Sequence, residues 1–282
     1  MTPIVFPGLG FQVSINPVAF NLFGKDIYWY GMIIACGFLL ALAFMVKHGE
    51  QFGAKEDDVV DMMLWAMPIA LVGARVYYVL FYQELFRDAQ GVFQWGRAVA
   101  IWDGGIAVYG GIIAGVTTAV IFSRIRKISF WALADTTSFG LFIGQAVGRW
   151  GNFVNQEAYG SACTAPWRMG LTVAGQYVEV HPTFLYESLW NLAGLCLLYF
   201  VLRPRRKFSG QMFLSYVFWY GLGRFWIEGL RTDSLYLFNT GIRVSQLLAA
   251  VSALGALAVI VIKWRHTEKA APARETAAEK KE

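Results

Sequence analysis

The chain has 282 residues, of which 57% are hydrophobic and only 15% are charged, and its formal net charge is +5 at pH 7. A soluble domain usually carries about 25% charged residues, and several apolar runs here approach the roughly 20 residues that cross a bilayer. These values exclude an ordinary soluble enzyme, a DNA-binding domain and a disulfide scaffold. They indicate a polytopic membrane protein built as one helical domain.

Seven apolar segments predict an all-α membrane bundle of about seven transmembrane helices. Continuous helices are expected because unpaired backbone groups are not tolerated in lipid. The segments lie at 27–46, 60–82, 99–122, 131–148, 183–202, 210–230 and 242–263. They define a predicted transmembrane catalytic domain over 27–264. The flanking residues 1–26 are predicted to be an interfacial segment, and the Ala-rich, charged residues 265–282 a disordered cytoplasmic tail.

Lysine and arginine are divided unevenly between the two sets of connections that seven spans create. One set holds fifteen of the 24 Lys and Arg residues and consists of 47–59, 123–130, 203–209 and the C-terminal tail. The side richer in these residues is normally cytoplasmic, which predicts an outer N-terminus and an inner C-terminus. Arg149, His181 and Arg231 then lie at outer span ends.

Ionisable residues inside a membrane span cost about 2.5–3.5 kcal/mol each and usually have a partner or a function. Those inside the predicted spans are Asp61, Arg75, Asp135, Glu187, Arg224 and Glu228. For any one of them near a span end, snorkelling to the interface is an equally good explanation. As a set they fall into ordered groups, which favours mutual pairing or a polar ligand.

The most distinctive group is Gly148-Arg149-Trp150-Gly151-Asn152-Phe153-Val154-Asn155-Gln156-Glu157. If the helix continues, Arg149, Asn152 and Gln156 share one face. A guanidinium beside amides suits a phosphate, because its forked donors bind two oxygens at once. The upstream glycines 140, 144 and 148 repeat every four residues, a spacing that lets membrane helices approach closely, and packing is the favoured explanation for them.

A polar stripe is predicted on the sixth span, where Tyr220, Arg224, Glu228 and Arg231 are spaced by four, four and three residues. Glu228 is placed to neutralise Arg224 or Arg231. A structural ladder of ion pairs explains this stripe as well as a ligand site does. Two arginine-bearing helices in one small bundle shift the balance towards an anionic ligand.

Paired glycines flank Tyr109 in Trp102-Asp103-Gly104-Gly105-Ile106-Ala107-Val108-Tyr109-Gly110-Gly111. Each glycine weakens a helix by about 1 kcal/mol relative to alanine. The stretch therefore predicts a broken helix lining a cavity, where irregular backbone is tolerated. It is not a dinucleotide-binding fingerprint, since no strand precedes it.

His181 precedes Pro182 at the start of the fifth span, and Pro182 suits a helix start. A lone histidine is more often structural than catalytic. The three cysteines, Cys36, Cys163 and Cys196, show no metal-ligand spacing with histidine. Neither a disulfide nor a zinc site is predicted.

Together these groups resemble the prolipoprotein diacylglyceryl transferase family from about Ile27 to about Trp264. The segment from Gly148 to Glu157 resembles the family signature and is the most specific piece. Supporting pieces follow in the family's order: Tyr28-Trp29-Tyr30-Gly31, Gly73-Ala74-Arg75-Val76-Tyr77-Tyr78, Trp102-Asp103-Gly104-Gly105, His181-Pro182 with Tyr186-Glu187, and Tyr220-Gly221-Leu222-Gly223-Arg224 through Glu228 and Arg231.

The resemblance implies an enzyme that moves the diacylglyceryl group of phosphatidylglycerol onto the lipobox cysteine of a preprolipoprotein. The product is a thioether, glycerol 1-phosphate is released, and the step is the first of bacterial lipoprotein maturation. The implied setting is a bacterial cytoplasmic membrane with the active site towards the outer face, where the exported cysteine emerges. Phosphatidylglycerol, the lipobox peptide and membrane lipids are the expected partners, nucleic acid is not, and no metal or cofactor is expected.

The candidate residues combine the resemblance with the polar groups. The family's essential arginines and asparagine match Arg149, Arg224 and Asn152, its glutamate matches Glu157, and its first-span tyrosine matches Tyr30. The candidate catalytic residues are Arg149, Arg224, Tyr109 and Asn152. The candidate substrate-binding residues are Arg149, Asn152, Glu157, Tyr30, Arg75, Tyr220, Glu228, Arg231 and His181.

Tyr109 departs from the family pattern, because many relatives have histidine there, assigned as the base that takes the thiol proton. A free tyrosine has a pKa near 10, against about 8.5 for cysteine and about 6.5 for histidine, so a neutral phenol is a poor base. Three explanations stay open. Tyr109 only hydrogen-bonds the phosphate or thiol, nearby arginines make its phenol more acidic, or the base lies elsewhere in the whole family.

Two other classes of function remain as alternatives. A transporter or channel for an anionic solute would also use buried arginines and a broken helix. It would further require a pseudo-symmetric pair of interrupted helices, which the sequence does not show. A non-catalytic membrane scaffold would need no ordered arginine stripes.

Overall fold

The computed structural model describes residues 3–237 and 240–279, except for the side chains of residues 103 and 268–279. The chain divides into two compact units, Met1–Phe44 with Ala134–Glu282, and Met45–Leu133. The described residues are mostly helical. Their α-helices are α1 (Trp29–His48), α2 (Glu56–Phe81), α3 (Trp95–Val99), α4 (Val108–Arg126), α5 (Phe130–Asn155), α6 (Thr183–Cys196), α7 (Gln211–Glu228) and α8 (Val244–Glu279).

Among the residues that the structure describes, five helical segments are long and apolar enough to cross a membrane: Trp29–Phe52, Glu56–Phe81, Val108–Arg126, Thr183–Arg205 and Val244–Thr267. They coincide with five of the predicted spans and give the chain the character of a multi-pass membrane protein. Helices α5 and α7 occupy the other two predicted spans. These two carry charged side chains along their length, including Asp135, Arg149 and Arg224. Their passage through the membrane remains a prediction.

In the described part of the chain, six short strands form two small antiparallel sheets that the sequence did not predict. The strands are β1 (Ile4–Phe6), β2 (Phe11–Val13), β3 (Val18–Leu22), β4 (Lys25–Tyr28), β5 (Met169–Val173) and β6 (Gln176–Val180). One sheet has the order β2-β1-β5-β6, and β3 pairs with β4 in the other. The expectation of an all-α chain is therefore correct for the dominant helices and wrong for these strands. Strands of three to five residues are too short to show a clear alternation of apolar and polar residues in the sequence.

The four-stranded sheet packs on the ends of α5 and α6. Its buried residues Ile4, Phe6, Met169, Leu171 and Val180 form one apolar cluster with Phe153 and Val154 of α5 and Phe184 of α6. Phe6, which the sequence assigns to an interfacial segment, is only 7% exposed, whereas Phe23 at the β3–β4 turn is 98% exposed. A membrane-surface role for residues 1–26 stays a prediction. The cluster fixes the C-terminal end of α5 relative to the first turn of α6.

Glycines let α1 lie close to α5. A Cβ at Gly151 would come within 2.7 Å of the Tyr30 ring, and one at Gly148 within 3.2 Å of Ile34. On the opposite helix, a Cβ at Gly37 would meet Val147 at 3.2 Å. The packing explanation for the glycine at position 148 is thus supported by its contacts.

In the second unit, α2 packs against α4 through Gly73 and Gly110. A Cβ at Gly73 would lie 2.3 Å from the Cβ of Ala114, and one at Gly110 would lie 2.4 Å from the Gly73 carbonyl oxygen. The predicted span over 99–122 is wrong at its start, since α4 begins at Val108. Gly104 and Gly105 have φ angles of 81° and 69°, which interrupt the helix where the paired glycines predicted a break.

The C-terminal helix extends into the segment that the sequence assigns to a tail. The backbone of α8 runs from Val244 to Glu279. The side chains after Thr267 and residues 280–282 lie outside the described part of the chain, so a disordered tail over 265–282 stays a prediction.

Candidate active site

The signature segment ends α5 with a short polar chain. The Arg149 Nη1 lies 3.2 Å from the Asn152 Oδ1 to which it donates, and the Asn152 Nδ2 donates to the Glu157 Oε1 at 2.9 Å. Gln156 has a φ of 54° and lies beyond the helix end at Asn155. The condition for Gln156 to share the helical face of Arg149 is therefore not met, because the helix stops one residue earlier. The structure brings Arg149, Asn152 and Glu157 together.

Glu187 lies at the centre of the arginine residues that the sequence singles out. Its Oε2 is 2.6 Å from the Arg149 Nη2, and its Oε1 is 3.1 Å from the Arg224 Nη1. The Arg231 Nη1 lies 3.6 Å from the same Oε1. Only 4% of the Glu187 side chain is exposed. One buried carboxylate thus joins guanidinium groups from α5, from α7 and from the segment after α7.

The polar stripe of α7 has the predicted internal pairing. The Arg224 Nη2 lies 2.6 Å from the Glu228 Oε2, one helical turn away, and Glu228 is buried. Arg231 follows the helix end at Glu228 instead of continuing the stripe. Arg243 donates to the backbone carbonyl of Glu228. The C-terminal end of α7 is therefore held by the ion pair between Arg224 and Glu228 and by the hydrogen bond from Arg243.

Arg231 has a second carboxylate partner outside the helix. Its Nε and Nη2 donate to the two carboxylate oxygens of Asp233 at 2.9 and 2.7 Å, the bidentate geometry of a strong guanidinium pair. The hydrogen bonds from Arg231 hold the pKa of the Asp233 carboxyl below its usual value. Asp233 therefore stays ionised and anchors Arg231 across the neutral range.

Tyr220 belongs to a polar group that it forms with Tyr216 and Gln145. Its ring stacks on Tyr216 with centroids 5.8 Å apart, and the Gln145 Nε2 donates to the Tyr216 hydroxyl at 2.8 Å. Within the described part of the chain, the buried Gln145 Oε1 has no hydrogen-bond partner. Buried acceptors are normally satisfied, so this oxygen is available to a donor on a bound ligand.

Tyr30 and His181 occupy different surroundings in this unit. The Tyr30 ring lies against Gly151 of the signature segment and is 36% exposed. The His181 Nδ1 lies 3.1 Å from the Tyr186 hydroxyl, which also accepts a hydrogen bond from Trp167 at 2.7 Å. These contacts give His181 a structural explanation, and its predicted contact with substrate remains untested.

Arg75 and Tyr109 belong to the second unit. Arg75 is buried and donates to backbone carbonyls around the helix break, those of Ala98 at 2.9 Å, Arg97 at 2.7 Å, Gly105 at 2.8 Å and Gly104. These bonds explain Arg75 as a support of irregular backbone, and lipid binding by it stays a prediction. Tyr109 lies in the first turn of α4 and is 39% exposed. The Asp103 side chain lies outside the described part.

An open apolar groove of about 410 Å³ lies between α1, α5 and α6. Its lining includes Cys36 of α1, Val147 and Trp150 of α5, and Leu192 of α6. Trp150 and Ser188, which also lines the groove, directly adjoin Arg149 and Glu187 in sequence. A groove of this chemistry suits a hydrocarbon chain. Among the residues that the structure describes, no cluster of three His, Cys, Asp or Glu side chains could hold a metal ion.

Comparison with known proteins identifies the family. The model of the family described as prolipoprotein diacylglyceryl transferase matches residues 17–262. The chain belongs to this family. A relative from Bacillus velezensis is 43% identical over 261 residues, covering 89% of this chain and 92% of the relative. Relatives from Limosilactobacillus reuteri and Listeria innocua are 43% and 42% identical, each covering 91% of this chain and 94% and 92% of their own lengths.

All three relatives bear the name phosphatidylglycerol–prolipoprotein diacylglyceryl transferase. Their names and the family match confirm the resemblance inferred from the sequence motifs. The family activity is that of a transferase in lipoprotein biosynthesis, and the transporter alternative is not favoured.

The residue that sequence reasoning placed least well is Glu187. The sequence shows Glu187 as an ionisable residue inside a predicted span and as part of Tyr186-Glu187, and Glu187 is not among the candidate site residues. Its central position depends on the packing of three separate segments, which sequence spacing does not give. The available signal was the burial cost of a carboxylate near three arginines that needed a counter-charge.

Proposed function

We propose that the chain transfers the diacylglyceryl group of phosphatidylglycerol to the lipobox cysteine thiol of preprolipoproteins, with release of glycerol 1-phosphate. The observation that carries this proposal is the convergence of Arg149, Arg224 and Arg231 on one buried site. Guanidinium forks are well suited to phosphate oxygens. The names of the relatives include phosphatidylglycerol and the prolipoprotein, which supports these two substrates.

The reaction forms a carbon–sulfur bond and breaks the carbon–oxygen bond to phosphate. A thiolate is the attacking species, and the bonding electrons leave with the phosphate oxygen. Negative charge therefore grows on the leaving phosphate, where preorganised cations stabilise the transition state. In this scheme Arg149 and Arg224 contact that phosphate, Asn152 donates a further hydrogen bond, and Glu157 holds the Asn152 amide.

The thiol must lose a proton before it attacks. Positive charge near the bound cysteine lowers the pKa of its thiol, which reduces the need for a strong protein base. Tyr109 then serves as a hydrogen-bond donor to phosphate or thiol, since a neutral phenol is a poor proton acceptor. Arg231 guides the lipid head group, with Tyr30 and Tyr220 as further contacts. His181 holds the Tyr186 hydroxyl, and Arg75 holds the irregular backbone that precedes α4. Contact of either side chain with the lipid stays a prediction.

The apolar groove beside Trp150 is assigned to an acyl chain of the donor lipid. Its lining is almost entirely apolar, and it adjoins the residues that carry Arg149 and Glu187. An acyl chain held there would keep the phosphate near the guanidinium groups. This arrangement would orient the reacting carbon, which is a main source of rate enhancement in enzymes.

The membrane topology is part of the same proposal. Seven helices, including α5 and α7, cross a bacterial cell membrane, with the N-terminus outside and the C-terminus in the cytoplasm. The excess of Lys and Arg in the 47–59, 123–130 and 203–209 connections supports this orientation. The arginine site then faces the outside, where a lipobox cysteine emerges after export.

A transfer assay tests this function. The purified full-length protein is incubated with phosphatidylglycerol and a lipobox cysteine peptide, and the peptide mass is measured. We expect the peptide to gain one diacylglyceryl group, and Arg149→Ala and Arg224→Ala to lose about 10²–10³-fold in rate, as when a transition-state donor is removed. The matched control is Arg168→Ala, which removes an arginine paired with Glu179 beside β5.

The outcomes separate the parts of the proposal. Absence of any mass gain with the unmodified protein would refute the transferase function. Near-normal transfer by Arg149→Ala and Arg224→Ala, with an active unmodified protein, would refute the assignment of the site. Uptake of an anionic solute into vesicles without peptide modification would favour the transporter alternative.

A further inference from the structure

We infer that Glu187 is a positioning residue that keeps the guanidinium groups of Arg149, Arg224 and Arg231 converged on the place where the lipid phosphate binds. This inference rests on the proposed transferase function and extends it to a residue outside the predicted site. In physical terms, one buried carboxylate preorganises three arginine side chains before the lipid binds.

Each arginine has two kinds of partner. One partner makes its direct contact with a single one of these arginines: Asn152 with Arg149 at 3.2 Å, Glu228 with Arg224 at 2.6 Å, and Asp233 with Arg231 at 2.7 Å. The other partner is common to all three, and it is Glu187. The individual partners set where each side chain is anchored, whereas Glu187 sets the direction in which the guanidinium groups point.

The burial of Glu187 strengthens its electrostatic interaction with the three arginines. Its side chain is 4% exposed, and the three arginine side chains are only 12–20% exposed. Like charges so close together repel one another strongly when water is largely excluded. Removing one partner from a buried charge network leaves the others uncompensated. Without Glu187, the three guanidinium groups are expected to turn apart towards water or towards their individual partners.

A phosphate can bind beside the Glu187 carboxylate, because each guanidinium carries five N–H donors and Glu187 contacts only one nitrogen of each arginine. Both are anions with oxygens spaced to accept guanidinium forks, and phosphate offers more of them. Arginines already directed at one point need little reorganisation when the phosphate arrives or when its charge grows in the transition state. Glu187 therefore acts through the arginines, and its loss is expected to affect turnover more than lipid binding.

Two substitutions distinguish charge from shape. Glu187→Gln keeps the size of the side chain and removes its charge, whereas Glu187→Asp keeps the charge on a shorter side chain. We expect Glu187→Gln to lower kcat by about 10–100-fold, the scale of a misplaced catalytic group, without raising KM for phosphatidylglycerol. Glu187→Asp should recover part of kcat. Glu179→Gln, which breaks the Arg168 pair beside the sheet, is the matched control.

Arginine labelling supplies a readout that does not depend on transfer. Phenylglyoxal modifies accessible guanidinium groups, and peptide mass spectrometry reports its rate at each arginine. We expect Glu187→Gln to speed labelling of Arg149, Arg224 and Arg231 together and to leave Arg168 unchanged. Both measurements use the folded, monodisperse protein. If Glu187→Gln gives no folded protein, Glu187→Asp is expected to show the same increase to a smaller degree.

Several results would overturn the inference. They are an unchanged kcat in Glu187→Gln, a higher KM with normal kcat, greater activity in Glu187→Gln than in Glu187→Asp, or a loss of kcat without faster labelling of the three arginines. Unchanged labelling in the Glu187→Asp protein, where that variant alone folds, would also overturn it. If the unmodified protein transfers nothing, the proposed function fails while the labelling comparison still decides whether Glu187 positions the arginines.

Discussion

Trp190 of α6 and Trp219 of α7 exchange hydrogen bonds: each indole Nε1 donates to the backbone carbonyl of the other residue at 2.9 Å. Their rings stack with centroids 4.5 Å apart. Each indole also packs directly against a glycine: Trp190 against Gly223, and Trp219 against Gly194. The pair joins the helix that carries Glu187 to the helix that carries Arg224.

This contact predicts that a methyl group at Gly223 lowers the stability of the protein. A Cβ there would lie 2.2 Å from the Trp190 ring, so Gly223→Ala must displace the indole or separate the helices. Overpacking of this kind typically costs about 1–3 kcal/mol. We expect a lower thermal midpoint and reduced transfer, measured on the purified protein. Gly255→Ala on α8 is the control, since its Cβ would meet nothing within 4 Å. Equal midpoints for the two variants would contradict the prediction.

The sequence predicts the helices well and the strands poorly, for physical reasons. Apolar runs of about 20 residues have few alternatives to a helix in lipid, and five helical segments meet the criteria for a membrane span. Strands such as Ile4–Phe6 and Met169–Val173 lie far apart in sequence and pair only after folding. The start of α4 was misplaced because a hydropathy window does not detect the backbone turn at Gly104 and Gly105.

The candidate site was predictable in its parts but not in its arrangement. Helical spacing brings Arg149 next to Asn152 and Arg224 next to Glu228, and both contacts are present. Spacing within one helix cannot show which residue of another helix lies between them. Glu187 holds that position because α5, α6 and α7 pack together, a consequence of tertiary structure.

The Arg231–Asp233 pair predicts a specific dependence of stability on pH. The pKa of the Asp233 carboxyl is lowered chiefly by its hydrogen bonds with Arg231. The stabilisation is thus fully present above the ordinary Asp pKa and is lost as pH falls through the lowered, folded-state value. Because the Asp233 side chain is 52% exposed, we expect the pair to contribute about 1 kcal/mol or less to the free energy of unfolding. The thermal midpoints of the unmodified protein and Asp233→Asn should differ at neutral pH and converge in strong acid.

The control for this pH dependence is Asp26→Asn in β4, where the carboxylate accepts a hydrogen bond from the Asn21 amide. It replaces the same chemical group outside the arginine site. A gap between Asp233→Asn and the unmodified protein that is constant with pH, or that grows as the pH falls, would count against the pair.

The apolar groove predicts that one cysteine position matters to lipid binding and another does not. Cys36 lines the groove, whereas Cys196 is exposed elsewhere on α6. Cys36→Phe should occupy space that an acyl chain needs and raise KM for long-chain phosphatidylglycerol about tenfold, equivalent to about 1.4 kcal/mol. Cys196→Phe is the matched control. Steady-state kinetics with short- and long-chain lipids measure the effect, and equal KM values for the two variants would exclude the groove as the acyl site.

Tyr109 offers a test of how the acceptor thiol is activated. If the arginine cluster lowers the thiol pKa, no strong base is required, and the phenol contributes only a hydrogen bond. Such a bond is worth about 0.5–1.5 kcal/mol, so Tyr109→Phe should lose about tenfold or less in kcat and keep the shape of its pH–rate profile. Tyr109→His introduces a group that titrates near neutral pH and should add a new inflection there. Loss of the alkaline limb in Tyr109→Phe but not in Tyr109→His would instead make the phenol an acid–base group, because that limb would then depend on a titratable side chain at position 109.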